Sequence, residues 1–208
     1  MIDNLNIIKT LLNFEKEGDF YHCIILKRKK DQPEGEKDNH QSVRTIKTYC
    51  IDSVQYLEKR YDEIKLLCEM FNARAYIHVQ KQNHSDVSLD MMVSLAERIK
   101  NGVKNQKGLF DSVVGQIKTQ EKRWVIDIDN VSIDTFNNGK QYIKMREYIN
   151  ELQLEAKKEQ GMTFIKTKSG FHIITQPFNV MKFKQKYPDV DIQKKNPTLL
   201  YYPHSLNY

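Results

Sequence analysis

Two aspartates one residue apart close an apolar run in WVIDIDN, residues 124–130. Trp124, Val125, Ile126 and Ile128 read as a buried strand, and side chains on a strand alternate with period two, so Asp127 and Asp129 share one face. Carboxylates held side by side repel each other, and a bound divalent cation is the usual reason for a fold to keep them together. Oxygen donors of this kind suit Mg²⁺ or Mn²⁺. Two further groups follow in the chain: Lys168-Ser169-Gly170-Phe171-His172, and Asp189-Val190-Asp191 ahead of Lys194, Lys195 and Asn196. Lys, Ser and His donors suit a triphosphate. A third carboxylate from a separate strand would complete a two-metal site, in which ions about 3.5–4 Å apart clamp the attacking and leaving oxygens. Period two also puts Asp189 and Asp191 on one face, so the spacing leaves both open as the third acid.

These groups need elements to hold them. Residues 4–17 read as a short amphipathic helix, and DFYHCIILKRKK as a strand running into a basic tail. DQPEGEKDNHQS is a polar loop by its Pro and Gly. SVRTIKTYCI alternates like a strand. SVQYLEKRYDEIKLLCEMFN has helical spacing, with Leu57, Tyr61, Ile64, Leu67 and Cys68 on one face. ARAYIHVQ reads as a strand and DVSLDMMVSLAERIKNG as a helix stopped by Asn101-Gly102. After WVIDIDN come a long helix over 139–160, two strands in a hairpin about Ser169-Gly170, a short helix NVMKFKQKYP, and DIQKKNPTLLYYP as a last strand or extended segment. Strands alternating with helices predict an α/β or α+β fold with a mixed sheet. The polar, basic stretch 101–122 reads as a linker between modules or a surface for a polyanion.

The chain has 208 residues, enough for a sizeable core. Its 33 Lys and Arg against 27 Asp and Glu give a formal charge of +6, a mild lean towards a polyanionic partner such as nucleic acid. No apolar run approaches the roughly 20 residues of a membrane helix, and MIDNLNIIKTLLNFEKEGDF lacks a signal-peptide layout. Cys23, Cys50 and Cys68 show no CxxC spacing, so neither a disulfide framework nor a zinc site is expected, and a reducing cytoplasm is the default compartment.

Taken in order, VIDIDN, KSGFHI and the acid of VDIQ resemble the three motifs of the archaeo-eukaryotic primase superfamily, which includes primase-polymerases. The resemblance spans residues 70–202 and extends to ARAYIHVQ, which looks like the family's arginine-bearing strand. It implies an α+β core: an N-terminal α/β module (residues 1–110) packed on a module like an RNA-recognition fold (residues 111–208), with a mixed or antiparallel sheet and the active site between them, together one catalytic domain. By the same resemblance Asp127, Asp129 and Asp191 would ligate two Mg²⁺ or Mn²⁺ ions. Ser169 and His172 would hold the phosphates of an incoming NTP or dNTP, and Arg74, Lys166 and Lys168 would add positive charge there. The implied activity is synthesis of a strand on a single-stranded DNA template. The sequence departs from the family in having Asp129 where several relatives have Glu, and Gly-Phe between Ser169 and His172. No Walker motif is present, so a separate helicase is the expected partner, and standalone cores of this kind are expected in phages or other mobile elements.

Other readings use the same residues. In a haloacid-dehalogenase-type phosphatase Asp127 would accept a phosphoryl group, but only about 80 residues follow it. A non-catalytic binder of single-stranded nucleic acid would keep the basic surface, although two unneutralised acids would repel a phosphate backbone. Residues 27–30 (KRKK) and Lys182, Lys184 and Lys186 read as solvated charge with nucleic-acid contact as the alternative. Tyr187, Tyr201 and Tyr202 read as core, with base stacking as the alternative. His78 shares a strand face with Arg74 and is expected to pack.

Overall fold

A computed structural model describes residues 1–32, 43–116, 119, 121–131, 135, 138–153 and 161–203. The fold is α+β. Six α-helices and two antiparallel sheets occur among the described residues. The loop expected over 30–42 and the end of the helix expected to 160 fall largely outside them.

The first sheet contains β1 (Ile2–Asp3), β2 (Asp19–Arg28), β3 (Val43–Ile51), β4 (Arg74–Ile77) and β10 (Thr198–Tyr202), in the order β1-β10-β4-β2-β3. The short β5 (Gln82–Asn83) also pairs with β2. Helices α1 (Leu5–Leu11) and α2 (Val54–Met70) belong to this half. Ser53 caps α2 by accepting from the Tyr56 amide at 3.1 Å. Helical spacing then puts Leu57, Tyr61, Ile64 and Cys68 on one buried face against Cys23, Ile25, Ile51 and Ala75. Leu67, expected on that face, is only partly buried at its margin.

The second sheet has the order β7-β8-β6-β9, built from β6 (Trp124–Asp129), β7 (Thr163–Lys166), β8 (Gly170–Thr175) and β9 (Asp191–Gln193). Helix α5 (Lys140–Leu152) follows β6, and α6 (Val180–Lys186) follows β8. The chain order is therefore β-α-β-β-α-β, with the first and third strands in the centre. Alternation gives this sheet two faces. Ile126, Ile128, Phe171 and Ile173 pack with Met145 and Ile149 of α5 and Phe183 of α6. Val125, Ile165 and Ile174 point the other way and join the core of the first sheet.

Three expectations change. The last stretch is two strands in two sheets: β9 ends at Gln193, Pro197 cannot donate to a ladder, and β10 then enters the first sheet between β1 and β4. β10 thus lies after residue 110 in the chain yet in the first sheet, and both sheets are antiparallel, as the resemblance allowed, where strand–helix alternation alone predicted a mixed one. Residues 101–122 are more than a linker. Helix α4 (Leu109–Gln116) buries Leu109, Val113 and Val114 with Phe20 and with Val87 of α3 (His84–Lys100).

The two sheets are tied by polar contacts as well. Asn4 Nδ2 lies 2.9 Å from both the Lys166 and the Leu199 carbonyls. Gln80 Nε2 donates to the Arg123 carbonyl at 2.9 Å and also to that of Lys194.

Candidate active site

The site is built from strand register. On β6, Asp127 stands directly opposite His172 of β8 on one side and Asp191 of β9 on the other. Opposed residues in an antiparallel pair share a face, with Cβ atoms about 4.5–5.5 Å apart. One row across three strands thus reads His172, Asp127, Asp191. Asp129 is two residues along the same face, at the end of β6. There the chain turns through Asn130, which has a positive φ of 59° and whose amide donates to the Ser169 carbonyl at 2.7 Å. The three separated sequence groups therefore meet. Register also chooses between the two candidate third acids: Asp191 opens β9 opposite Asp127, whereas Asp189 lies in the exposed turn before it.

Gly170 explains the residue between Ser169 and Phe171. A Cβ there would lie 1.9 Å from the Ile128 carbonyl oxygen and 3.1 Å from the Asp129 Cα. Only glycine lets β8 approach β6 this closely. That approach brings the Ser169 hydroxyl within 2.9 Å of Asp129 Oδ1, to which it donates.

Burial and like charge set the electrostatics. The Asp127 carboxyl is pushed up to about 6, first by burial and then by the charges of Asp129 and Asp191, with Lys30 and Arg28 pulling the other way. His172 is buried, and its imidazole is pushed down to about 4 by desolvation, against a small opposing pull from Asp129. At neutral pH His172 is neutral. Its Nδ1 is hydrogen-bonded to Thr198 Oγ1 at 2.8 Å, and its Nε2 lies 3.5 Å from Asp127 Oδ1. Nδ1 is thus engaged within the protein, and Nε2 is directed towards Asp127 at the cleft where the resemblance implies a phosphate contact.

A cleft of about 320 Å³ opens at Asp127 and His172; Asp127, Asp129, Ser169 and His172 line it together with Arg28, Lys30, Arg74 and Lys168, while Asp191 stands beside Asp127 on the neighbouring strand and is not among the lining residues. The cations are held by a residue that sequence reasoning missed. Asp31 is buried at its side chain (1% exposed), forms an ion pair with Arg74 Nη2, and accepts from Lys168 Nζ at 3.2 Å. Burial, the largest single influence, pushes its carboxyl up, but the hydrogen bonds and charges of Arg74 and Lys168 together outweigh it and hold the carboxyl below the usual range. Arg74 also lies over the ring of Tyr202, 4.6 Å from its centroid. An acid directly after a basic run is the one signal that could have drawn attention to Asp31.

Other expectations resolve plainly. Lys166 pairs with Phe171, so register puts it on the side of the sheet away from the cleft; Thr167 and Lys168 line the cleft instead. Tyr201 and Tyr202 are core residues, as is most of Tyr187, packed with Phe183, which leaves none of the three as an open stacking platform. His78 is partly buried and packs beside His22, with ring centroids 5.5 Å apart.

The donor chemistry fits a hard divalent cation: three carboxylates and no soft ligand, crowded enough to raise one carboxyl pKa. Among the described residues no group of three or more such side chains already converges as a ready-made metal cage. Asp129 is turned to Ser169, and Asp191 accepts from Gln193 Nε2 at 2.7 Å, so both would have to rotate to share an ion with Asp127. Comparison of this chain with known protein families, with curated proteins and with solved structures returned no match.

Proposed function

We propose that this protein is a metal-dependent nucleotidyltransferase of the primase-polymerase type, copying a single-stranded template with NTPs or dNTPs. The observation that carries the reading is that Asp127, Asp129 and His172 line one cleft with four cations, and that Asp191 stands opposite Asp127 in strand register. Acids suited to metal and cations suited to a triphosphate line the same cleft, which is the combination phosphoryl transfer requires. The β-α-β-β-α-β order of the second sheet supports the RNA-recognition-like module implied by the resemblance to archaeo-eukaryotic primases.

In this mechanism the chain's residues position and neutralise. Asp127, Asp129 and Asp191 would hold Mg²⁺ or Mn²⁺, which supplies charge neutralisation at the reacting phosphate and acidifies the attacking hydroxyl. Arg74 and Lys168 receive the β- and γ-phosphates, joined from the side by Arg28 and Lys30. Asp31 fixes the first two in place. Ser169 orients Asp129 in the free protein. His172 is a positioning residue: neutral, anchored to Thr198 on β10, it sets the rotamer of Asp127. Strand synthesis then proceeds by in-line attack of a 3′-oxygen on the α-phosphate, with pyrophosphate leaving towards Arg74 and Lys168.

The test is a gel assay with single-stranded circular DNA, Mg²⁺ or Mn²⁺ and labelled NTPs or dNTPs, with a primed template in parallel. We expect metal-dependent product that disappears in Asp127→Asn/Asp129→Asn. Absence of product in both lanes, with single-strand binding equal in wild type and variant, would replace this reading with that of a non-catalytic nucleic-acid binder.

A further inference from the structure

Helix α3 is apolar on its outward arc as well as on its inward one. At about 100° per residue, Val87 and Met91 point inwards, against Phe20, Leu109 and Val113. The outward arc is apolar: Leu89, Met92, Val93 and Ile99 are all exposed, Met92 at 69% and Ile99 at 63%. Val103, just past the helix, extends the same line and is also exposed. A surface helix normally turns its polar face to water. Here a 17-residue helix buries only Val87 fully and presents its long apolar stripe to solvent. Isolated helices of this length are marginal in water, and a contiguous exposed stripe of this kind marks an interaction surface.

The flanking charges decide what fits. Asp86, Asp90 and Glu97 lie along one edge of the stripe, and that edge would be repelled by an anionic lipid surface. The basic residues Lys100 and Lys104 lie at the far end of the same segment. The segment is therefore complementary to itself when reversed. In an antiparallel pair about a two-fold axis at Leu95, Asp90 of one copy comes beside Lys100 of the other, and Asp86 lies towards the segment past the helix end that carries Lys104. Ala96, exposed and small, lets the backbones approach at the centre. We propose that α3 is a homodimer interface, an isologous antiparallel helix pair formed with a second copy of this chain.

Sedimentation velocity from micromolar to hundreds of micromolar protein tests this. The wild type should move from 24.7 kDa towards twice that mass as concentration rises. Met92→Lys/Ile99→Lys alters only exposed positions; it should stay monomeric throughout, with circular dichroism and cooperative unfolding retained. Asp90→Lys should weaken association about tenfold, and Asp90→Lys/Lys100→Asp should restore it. A wild type that is monomeric throughout overturns the proposal, as does a Met92→Lys/Ile99→Lys variant that still dimerises. Flotation of the monomeric wild type with anionic vesicles, lost in that variant, would assign the stripe to a membrane instead.

Discussion

Gly170→Ala tests whether the close approach of β8 to β6 builds the site. The added Cβ meets backbone, with the Ile128 carbonyl oxygen at 1.9 Å and the carbonyl carbon at 2.9 Å, and no flexible side chain can move aside. The strands have to part by roughly 1 Å to bring that contact to the closest distances real Cβ atoms show. Overpacking of this sort costs about 1–3 kcal/mol, and a weakened ladder bond adds about 1 kcal/mol. We expect a loss of about 3 kcal/mol, which for a chain of this size lowers Tm by roughly 6–12 °C. Gly115→Ala is the control. It lies in α4, where an added methyl would meet nothing within 4 Å, and should raise stability by up to about 1 kcal/mol because helical alanine is preferred to glycine. Urea unfolding of both variants gives the comparison. A Gly170→Ala protein within about 0.5 kcal/mol of wild type, with Ser169 and Asp129 still competent for synthesis, would refute the reasoning that glycine is required for strand contact here.

Three further outcomes are expected. The folded-state pKa of Asp127 is raised to about 6, so its carboxyl favours folding at low pH and that contribution is lost as pH rises through 6; Asp127→Asn should therefore raise Tm at pH 7.5 in chelator, while removing Mg²⁺-dependent stabilisation and all synthesis, and an unchanged Tm in chelator would contradict the electrostatic account. Burial holds His22 and His78 at about 4 against 6.5 in the unfolded chain, so the stability they carry is complete above pH 6.5 and falls as pH drops towards 4; His22→Leu, at a ring with no hydrogen-bond partner, should flatten that loss by up to about 1.4 kcal/mol per pH unit, and parallel urea midpoints for both proteins at pH 7.5 and 5 would refute it. Asp31→Ala strands the buried Arg74 guanidinium and should cost about 3–5 kcal/mol, with Asp31→Ala/Arg74→Leu recovering much of it; equal unfolding midpoints for the single and double variants would show that the ion pair is not the cause.

Much of the secondary structure is legible in the sequence because it rests on local rules. Period-two alternation marks β6 and β8, helical spacing marks α2, and the apolar run with two acids places Asp127 and Asp129 on one face before any tertiary fact is known. The hairpin about Ser169-Gly170 is equally local. What the sequence cannot carry is register between strands far apart in the chain. Asp189 and Asp191 are equivalent by alternation, and only the pairing of β9 with β6 puts Asp191 opposite Asp127. Lys166 and Lys168 look interchangeable as cations, and only the pairing of β7 with β8 turns Lys166 away from the cleft. Residues 191–203 read as a last strand or extended segment, but β1 and β4 both pair with β10 rather than with each other, and bridging them draws β10 away from β9. Asp31 stays hidden for a related reason: its partners, Arg74 and Lys168, lie 43 and 137 residues away. Alternation and propensity are short-range properties of the chain, whereas the pairing of the acids and the clamping of the cations depend on which distant surfaces the core brings together.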